Sequence, residues 1–201
     1  MSNRISDLNL FFSTPVWTSI VPDYQQINEK MYTYIKSLQN SDPKGMNKSN
    51  ILGWHSHPFV LDAEEPKFFI NSILPAINES MRDMSWDSEK NKMEITGMWT
   101  IINTKSARNE RHIHSNNFIS AAYYVKAPEN AGDILFHDPR EVNVIRKPNT
   151  KQANKLNAQI FNIKPKEGLL VLFPSYLHHS VNENLSDQER VVISFNIDIK
   201  F

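Results

Sequence analysis

Seven histidines and no cysteine set the terms for any metal chemistry in this chain of 201 residues. Without Cys there are no disulfides, thiolate-held zinc, iron–sulfur clusters or thiol nucleophiles. A metal must then be held by His, Asp or Glu. The sharpest constellation is Arg108-Asn-Glu-Arg-His112-Ile-His114. On an extended segment alternate side chains share a face, so His112 and His114 stand one repeat apart. Two imidazoles so placed can share one metal with a third ligand from elsewhere. With seven His, such a pair also arises by chance, and a second, His55-Ser-His57, does occur.

The next constellation is Phe173-Pro-Ser-Tyr-Leu-His178-His179-Ser-Val, with Arg190 eleven residues after His179. A His at the end of one strand and an Arg near the start of the next can point into one barrel. The His would be a distal metal ligand, and the Arg a planar fork for a carboxylate. Ser194 lies four residues beyond Arg190, faces the same side and adds a hydroxyl donor. Taken alone, Arg190 reads as a surface residue after the polar turn Asn184-Leu-Ser-Asp-Gln-Glu189. Asp138, opening Asp-Pro-Arg140, is the other candidate carboxylate, but an Asp before Pro reads first as a turn that accepts backbone N–H bonds. His55 and His57, with Trp54, suit a loop at the barrel mouth, with a substrate role or a plain surface turn both open. Trp99, Tyr32 and Phe69 read as core.

The elements that must position these residues change character along the chain. Roughly the first 90 residues read as helix and loop. Tyr24, Ile27, Met31, Tyr34, Ile35 and Leu38 form one helical stripe, stopped by the turn cluster at residues 40–45. Phe69, Ile73, Ile77, Met81 and Met84 form a second; Pro66 suits its first turn, and Pro75 is expected to kink it or start it anew. From Met93 the period becomes two, with Met93, Ile95, Gly97, Trp99 and Ile101 on one side. Further strands are expected at 118–126, 133–137, 159–163, 169–173 and 190–201, separated by turn residues. On the last strand Val191, Ile193, Phe195, Ile197, Ile199 and Phe201 share one side. Arg190, Val192, Ser194, Asn196, Asp198 and Lys200 share the other, which is either wet surface, as composition favours, or the lining of a cavity. Short strands in succession without helices between them predict an α+β fold: a β barrel or sandwich with helices packed on one face.

Length allows one domain over residues 1–201, helical and loop-like to about 90 and β from about 91. Lys+Arg 22 balances Asp+Glu 22, so no basic field exists to hold a nucleic acid. The N-terminus carries no signal-peptide h-region, and the longest apolar run, residues 169–173, is too short to span a bilayer. A cytoplasmic protein without membrane attachment is expected.

In combination these features carry a resemblance. A His-x-His, a strand with Tyr123-Tyr124, a Gly-containing turn and strand, His179, then Arg190 and Ser194 on the last strand follow in that order. The sequence resembles the Fe(II)/2-oxoglutarate-dependent oxygenases, whose fold is a double-stranded β-helix of the jelly-roll, cupin-like kind. More narrowly it is similar to a family of such oxygenases found in marine bacteria and phages. The stretches concerned are Phe12-Ser-Thr-Pro-Val-Trp17, Ser49-Asn-Ile-Leu-Gly-Trp-His-Ser56, His112-Ile-His114, Ser120-Ala-Ala-Tyr-Tyr-Val125, Asp138-Pro-Arg140 and residues 190–196.

The resemblance implies Fe(II) and 2-oxoglutarate as cofactors, dioxygen as co-reactant and a hydroxylase-type oxidation of a substrate the sequence does not name. It implies His112 and His179 as metal ligands and Arg190 on the far carboxylate of 2-oxoglutarate, supported by Ser194 and Tyr124. His178 is the lesser candidate of its pair. The usual pattern is His-x-Asp, and His114 stands where the Asp would be. Three arrangements follow: His114 as third ligand, His114 beside a two-His site, or a shifted register in which His114 and Asn116 take the first two places. Two other classes stay open, a 2-oxoglutarate-independent metal cupin enzyme and a non-catalytic jelly-roll binding or structural module. The spacing of His179 and Arg190 argues against the first, and the pairing of His112 with His179 against the second.

Overall fold

The strand that contains Arg190 divides the molecule. In this computed structural model, which describes residues 5–140 and 148–200, β11 (Arg190–Lys200) lies at the centre of the larger of two sheets. Val191, Ile193, Phe195 and Ile197 are buried in a core shared with two helices, while Arg190, Val192 and Ser194 face a cavity between the sheets. The polar side of β11 is thus the lining of a cavity along its first half, not the wet surface that composition favours. Phe201 and the first four residues lie outside the described residues.

The larger sheet has the order β1-β9-β6-β11-β4-β3 and the smaller β2-β5-β10-β7-β8. The first comprises β1 (Trp17–Ile20), β9 (Leu169–Pro174), β6 (Ile119–Lys126), β4 (Lys92–Asn103) and β3 (Trp54–His55) around β11. The second comprises β2 (Asn50–Ile51), β5 (Arg108–His112), β10 (His179–Val181), β7 (Ile134–His137) and β8 (Ile160–Ile163). Neighbouring strands run antiparallel, β11 against both β4 and β6. Two facing antiparallel sheets give a jelly-roll sandwich. The N-terminal region is not only helix and loop: β1 pairs with β9, and β2 and β3 join opposite sheets. Each of these strands has four residues or fewer, too short for alternation to show in the sequence.

Both helical stripes form, except that Met84 falls just past the end of the second helix and is exposed. α1 (Tyr24–Ser41) buries Ile27, Asn28, Met31 and Ile35. α2 (Glu64–Asp83) buries Phe69, Ile73, Ile77 and Met81, with Glu64 and Glu65 in its first turn and Arg82 in its last, complementing the helix dipole. Pro75 neither ends α2 nor starts it anew. The carbonyl it leaves without a helical partner belongs to Asn71, an exposed residue, where water can serve. The helices meet the outer face of the larger sheet: the Phe69 ring lies 5.0 Å from that of Tyr123, and the Tyr123 hydroxyl donates to Asn28 Oδ1 at 2.7 Å. Burying a side chain such as Phe69 contributes about 1.5–3 kcal/mol.

The expected parity of β4 is broken by a bulge. Asn196 pairs with Gly97 and Ile197 with Ile95, so Thr96 is the extra residue. Before it Met93 and Ile95 pack toward the helices. After it Met98 and Ile102 do so, while Trp99, Ile101 and Asn103 turn to the cavity. One inserted residue therefore exchanges the faces. A second core lies between the sheets, built from Tyr124, Ile134, Phe136, Val171 and Phe173.

Candidate metal centre and cosubstrate cavity

The short strands β5 and β10 are adjacent, and their register sets His179 directly opposite His112. His114 follows two residues beyond β5, its backbone N–H bonded to the Ser175 carbonyl at 3.0 Å. The three imidazoles converge. Ring centres are 4.2 Å apart for His112 and His179, 5.0 Å for His112 and His114, and 5.1 Å for His114 and His179. The nitrogens each can offer lie within 4.8 Å of one another.

The hydrogen bonds prepare these rings to ligate. Nδ1 of His112 bonds the Glu110 carbonyl at 2.7 Å, and Nδ1 of His179 the Leu177 carbonyl at 3.0 Å. A carbonyl only accepts, so each Nδ1 carries the proton and each Nε2 keeps its lone pair. Burial pushes His179 down to about 3 and His114 to about 4, each further lowered by its His neighbours. His112 is lowered for the same first reason. All three are neutral at pH 7, as metal ligands must be. Three neutral imidazoles with fixed tautomers suit a borderline divalent metal such as iron.

The other candidates fall elsewhere. His178 is not part of the trio; its carbonyl accepts from the His137 N–H. Asn116 is an exposed turn residue at φ 62°, away from the cavity lining. Asp138 accepts the Arg140 backbone N–H at 2.9 Å and a two-pronged guanidinium contact at 2.9 and 2.7 Å, the turn role its position before Pro139 suggests. His57 is exposed at the surface, 3.5 Å from Asp42.

The trio lines one cavity of about 480 Å³ together with Arg190, Ser194 and Tyr124. Arg190 is 1% exposed, and burial lowers its pKa to about 10, so it remains a cation. Its Nη1 donates to the carbonyls of Ala131, of Gly132 at 2.9 Å and of Asn182 at 3.3 Å. These dipoles hold one nitrogen, and no Asp or Glu lines the cavity among the described residues. A buried cation without an acidic partner is costly, and an anionic ligand would relieve that cost. Tyr124 is buried beside it: burial raises its hydroxyl to about 12, against the opposing pull of Arg190. The hydroxyl stays protonated, a donor.

Sequence reasoning misplaced one lining residue and left another open between a substrate role and a surface turn. Trp99, read as core, is only half-buried and faces the cavity, its ring 5.6 Å from that of His114. His55 stacks on Trp99 at 5.9 Å and 10°. Only the Thr96 bulge reveals the side on which Trp99 falls, and neither alternation nor composition marks that bulge.

Residues 97–196 match the family model described as "Putative 2OG-Fe(II) oxygenase". That stretch runs from β4 into β11 and holds the three imidazoles and Arg190. Solved structures agree on the fold. A prolyl-4-hydroxylase of Pseudomonas putida superposes with a TM-score of 0.64 at 9% identity, over 94% of this chain and 95% of that one. The viral collagen prolyl hydroxylase of Paramecium Bursaria Chlorella virus-1, in its 2OG complex, gives 0.53 at 15% identity over 90% and 94%. The epimerase SnoN, in complex with Fe3+, alpha ketoglutarate and nogalamycin RO, gives 0.65 at 9% over 92% and 79%. No curated protein matches the sequence. The cofactors this chemistry calls for are Fe(II) and 2-oxoglutarate, and the His112, His114 and His179 group could bind the metal. Among the described residues no helix is long and apolar enough to cross a membrane.

Proposed function

We propose that the protein is an Fe(II)- and 2-oxoglutarate-dependent dioxygenase of the hydroxylase type, working as one domain over residues 1–201 in the cytoplasm. In this reading His112, His114 and His179 hold the metal through Nε2 or its equivalent. Arg190 grips the far carboxylate of 2-oxoglutarate, and Tyr124 and Ser194 support it. The observation that carries the reading is that one cavity is lined by both the three-imidazole cluster and a buried guanidinium with no acidic partner among the described residues. A metal cupin that does not use 2-oxoglutarate has no use for that cation. A purely structural jelly roll has no use for three converging neutral imidazoles.

The bound iron and 2-oxoglutarate would supply the oxidising chemistry, in which dioxygen and 2-oxoglutarate give succinate, CO2 and a hydroxylated substrate. The chain's own residues bind and orient. Backbone carbonyls fix Arg190, and the Glu110 and Leu177 carbonyls fix two ring tautomers. Phe136 and Phe173 pack around His179, with Phe173 4.6 Å from its ring, and exclude water from that side. The prolyl hydroxylase likenesses support hydroxylation as the outcome. A His in place of the usual carboxylate removes one negative charge from the metal face, so iron should be held less firmly than by a two-His-one-carboxylate site. The test is iron-loaded protein in air with 2-oxoglutarate alone. Slow succinate release is expected, and its absence at any iron loading would contradict the proposal.

A further inference from the structure

The cavity extends past the imidazoles to a rim built by residues 46–58, which supply Met46, Lys48, His55 and Pro58 to its lining. This segment bridges the open side of the sandwich: Asn50 and Ile51 pair with β5 of the smaller sheet, Trp54 and His55 with β4 of the larger. It is tied down internally. The Trp54 indole donates to the Asp42 carbonyl at 2.9 Å, Met46 N–H to the His55 carbonyl at 2.8 Å, and Ser56 N–H to the Thr100 carbonyl at 3.0 Å. The rim is therefore a preformed wall rather than a loose loop.

Its chemistry is one-sided. Parallel rings of Trp99 and His55, with Pro58, Met46 and the 40%-exposed Ile113, give a flat apolar surface beginning beside His114. His55 is 8% exposed, its Nδ1 donates to the Ser56 carbonyl at 2.7 Å, and burial lowers its pKa below the ordinary His value, so it stands as a neutral ring at pH 7. The charged side chains of the lining, among the described residues, are Lys48 at the rim and Arg190 in the interior. The Lys48 ammonium lies close enough to His55 to act on it electrostatically. A positively charged substrate would meet only like charge here, and a cavity of about 480 Å³ suits a small molecule or a single inserted side chain.

The geometry points to the Trp99–His55 wall with Lys48 as the subsite for the oxidised substrate, and to a flat apolar group bearing a negative charge as the class it takes. This rests on the oxygenase reading for its purpose, but not for its test. The ring lies along Trp99 and Pro58, and its anionic substituent meets Lys48 at the mouth. Arg190 is left to the cosubstrate.

The probes are 3-phenylpropionate, phenethylamine and propionate, titrated by calorimetry into the full chain, both metal-free and loaded anaerobically with Fe(II) and 2-oxoglutarate. The expected result is 3-phenylpropionate binding at least about tenfold more tightly than phenethylamine, as a partly buried charge pair gives, with propionate weaker than 3-phenylpropionate. Lys48→Glu, a change at an exposed side chain, should reverse the preference for the anion, and Trp99→Phe should weaken both ring probes. Equal affinity for the two ring probes, or a preference untouched by Lys48→Glu, overturns the subsite. The visible charge-transfer band of the loaded protein separates the two readings. A normal band without probe discrimination sinks the subsite alone, and discrimination in the metal-free protein without any band supports the subsite while sinking the cosubstrate assignment.

Discussion

His179 and His112 are cross-strand partners: the β10–β5 register places them directly opposite one another, with ring centres 4.2 Å apart. The pairing of two short strands, rather than any loop, thus brings together two imidazoles 67 positions apart in the sequence. Sites built on strands hold their geometry better than sites on loops. His112→Ala and His179→Ala should therefore each abolish stoichiometric iron while leaving the far-ultraviolet circular dichroism of the sandwich unchanged. Iron retained at full stoichiometry in either variant would remove that residue from the metal face.

His114 enters the cluster from beyond the end of β5, and its role is separable. His114→Ala should lose most of the iron. His114→Asp should keep it, and hold it more firmly by adding a negative charge. Inductively coupled plasma analysis of the three proteins after identical dialysis decides this. Full iron in the Ala variant would leave a two-His site.

Arg190→Met keeps the apolar stem but removes the cation. A charge-assisted pair contributes about 1.5–3 kcal/mol, so 2-oxoglutarate affinity should fall about tenfold to a hundredfold with iron binding unaltered. Equal loss of both would point to unfolding.

Gly132 gives a more indirect route to the same group. Its φ is +87°, and a Cβ there would meet the Asn182 and Glu183 carbonyls at 2.4 and 2.6 Å and Arg190 Nη1 at 2.9 Å. Gly132→Ala should displace the guanidinium and weaken 2-oxoglutarate binding while iron stays bound. An unchanged 2-oxoglutarate affinity would show that the turn holding Arg190 does not govern its aim.

The pH dependence of the metal-free protein has a defined sign. His114 and His179 titrate near 4 and 3 when folded and near 6.5 when unfolded. Between those values the unfolded chain binds more protons, so stability is complete above about 6.5 and is lost as pH falls below it. From pH 7.5 to 5.5, where carboxylates remain ionised, urea unfolding should show a loss of about 1–3 kcal/mol. His179→Gln should flatten that slope, and stability that rises on acidification would contradict the burial of these imidazoles.

The sequence made much of this legible because several signals were long. Eleven residues of alternation defined β11, two stripes defined the helices, and His112, His179 and Arg190 stood out once their order along the chain carried the family resemblance. What stayed hidden was short or irregular. β1, β2 and β3 have no more than four residues each, so no period can register. Trp99 was assigned to the core because one bulged residue, Thr96, exchanges the two faces of β4. The polar side of β11 was ambiguous in principle, since alternation separates two faces without saying which one meets water; the smaller sheet covers it.

The central claim is that one cavity holds a three-imidazole iron face and a cation for 2-oxoglutarate. Its most direct measurement is an anaerobic titration of the metal-free protein with Fe(II) and then 2-oxoglutarate, followed in the visible. A metal-to-ligand charge-transfer band that saturates at one equivalent of each, and that is lost in His179→Ala and shifted to higher 2-oxoglutarate concentration in Arg190→Met, is the predicted result. No band in protein shown to hold one equivalent of Fe(II) would contradict it.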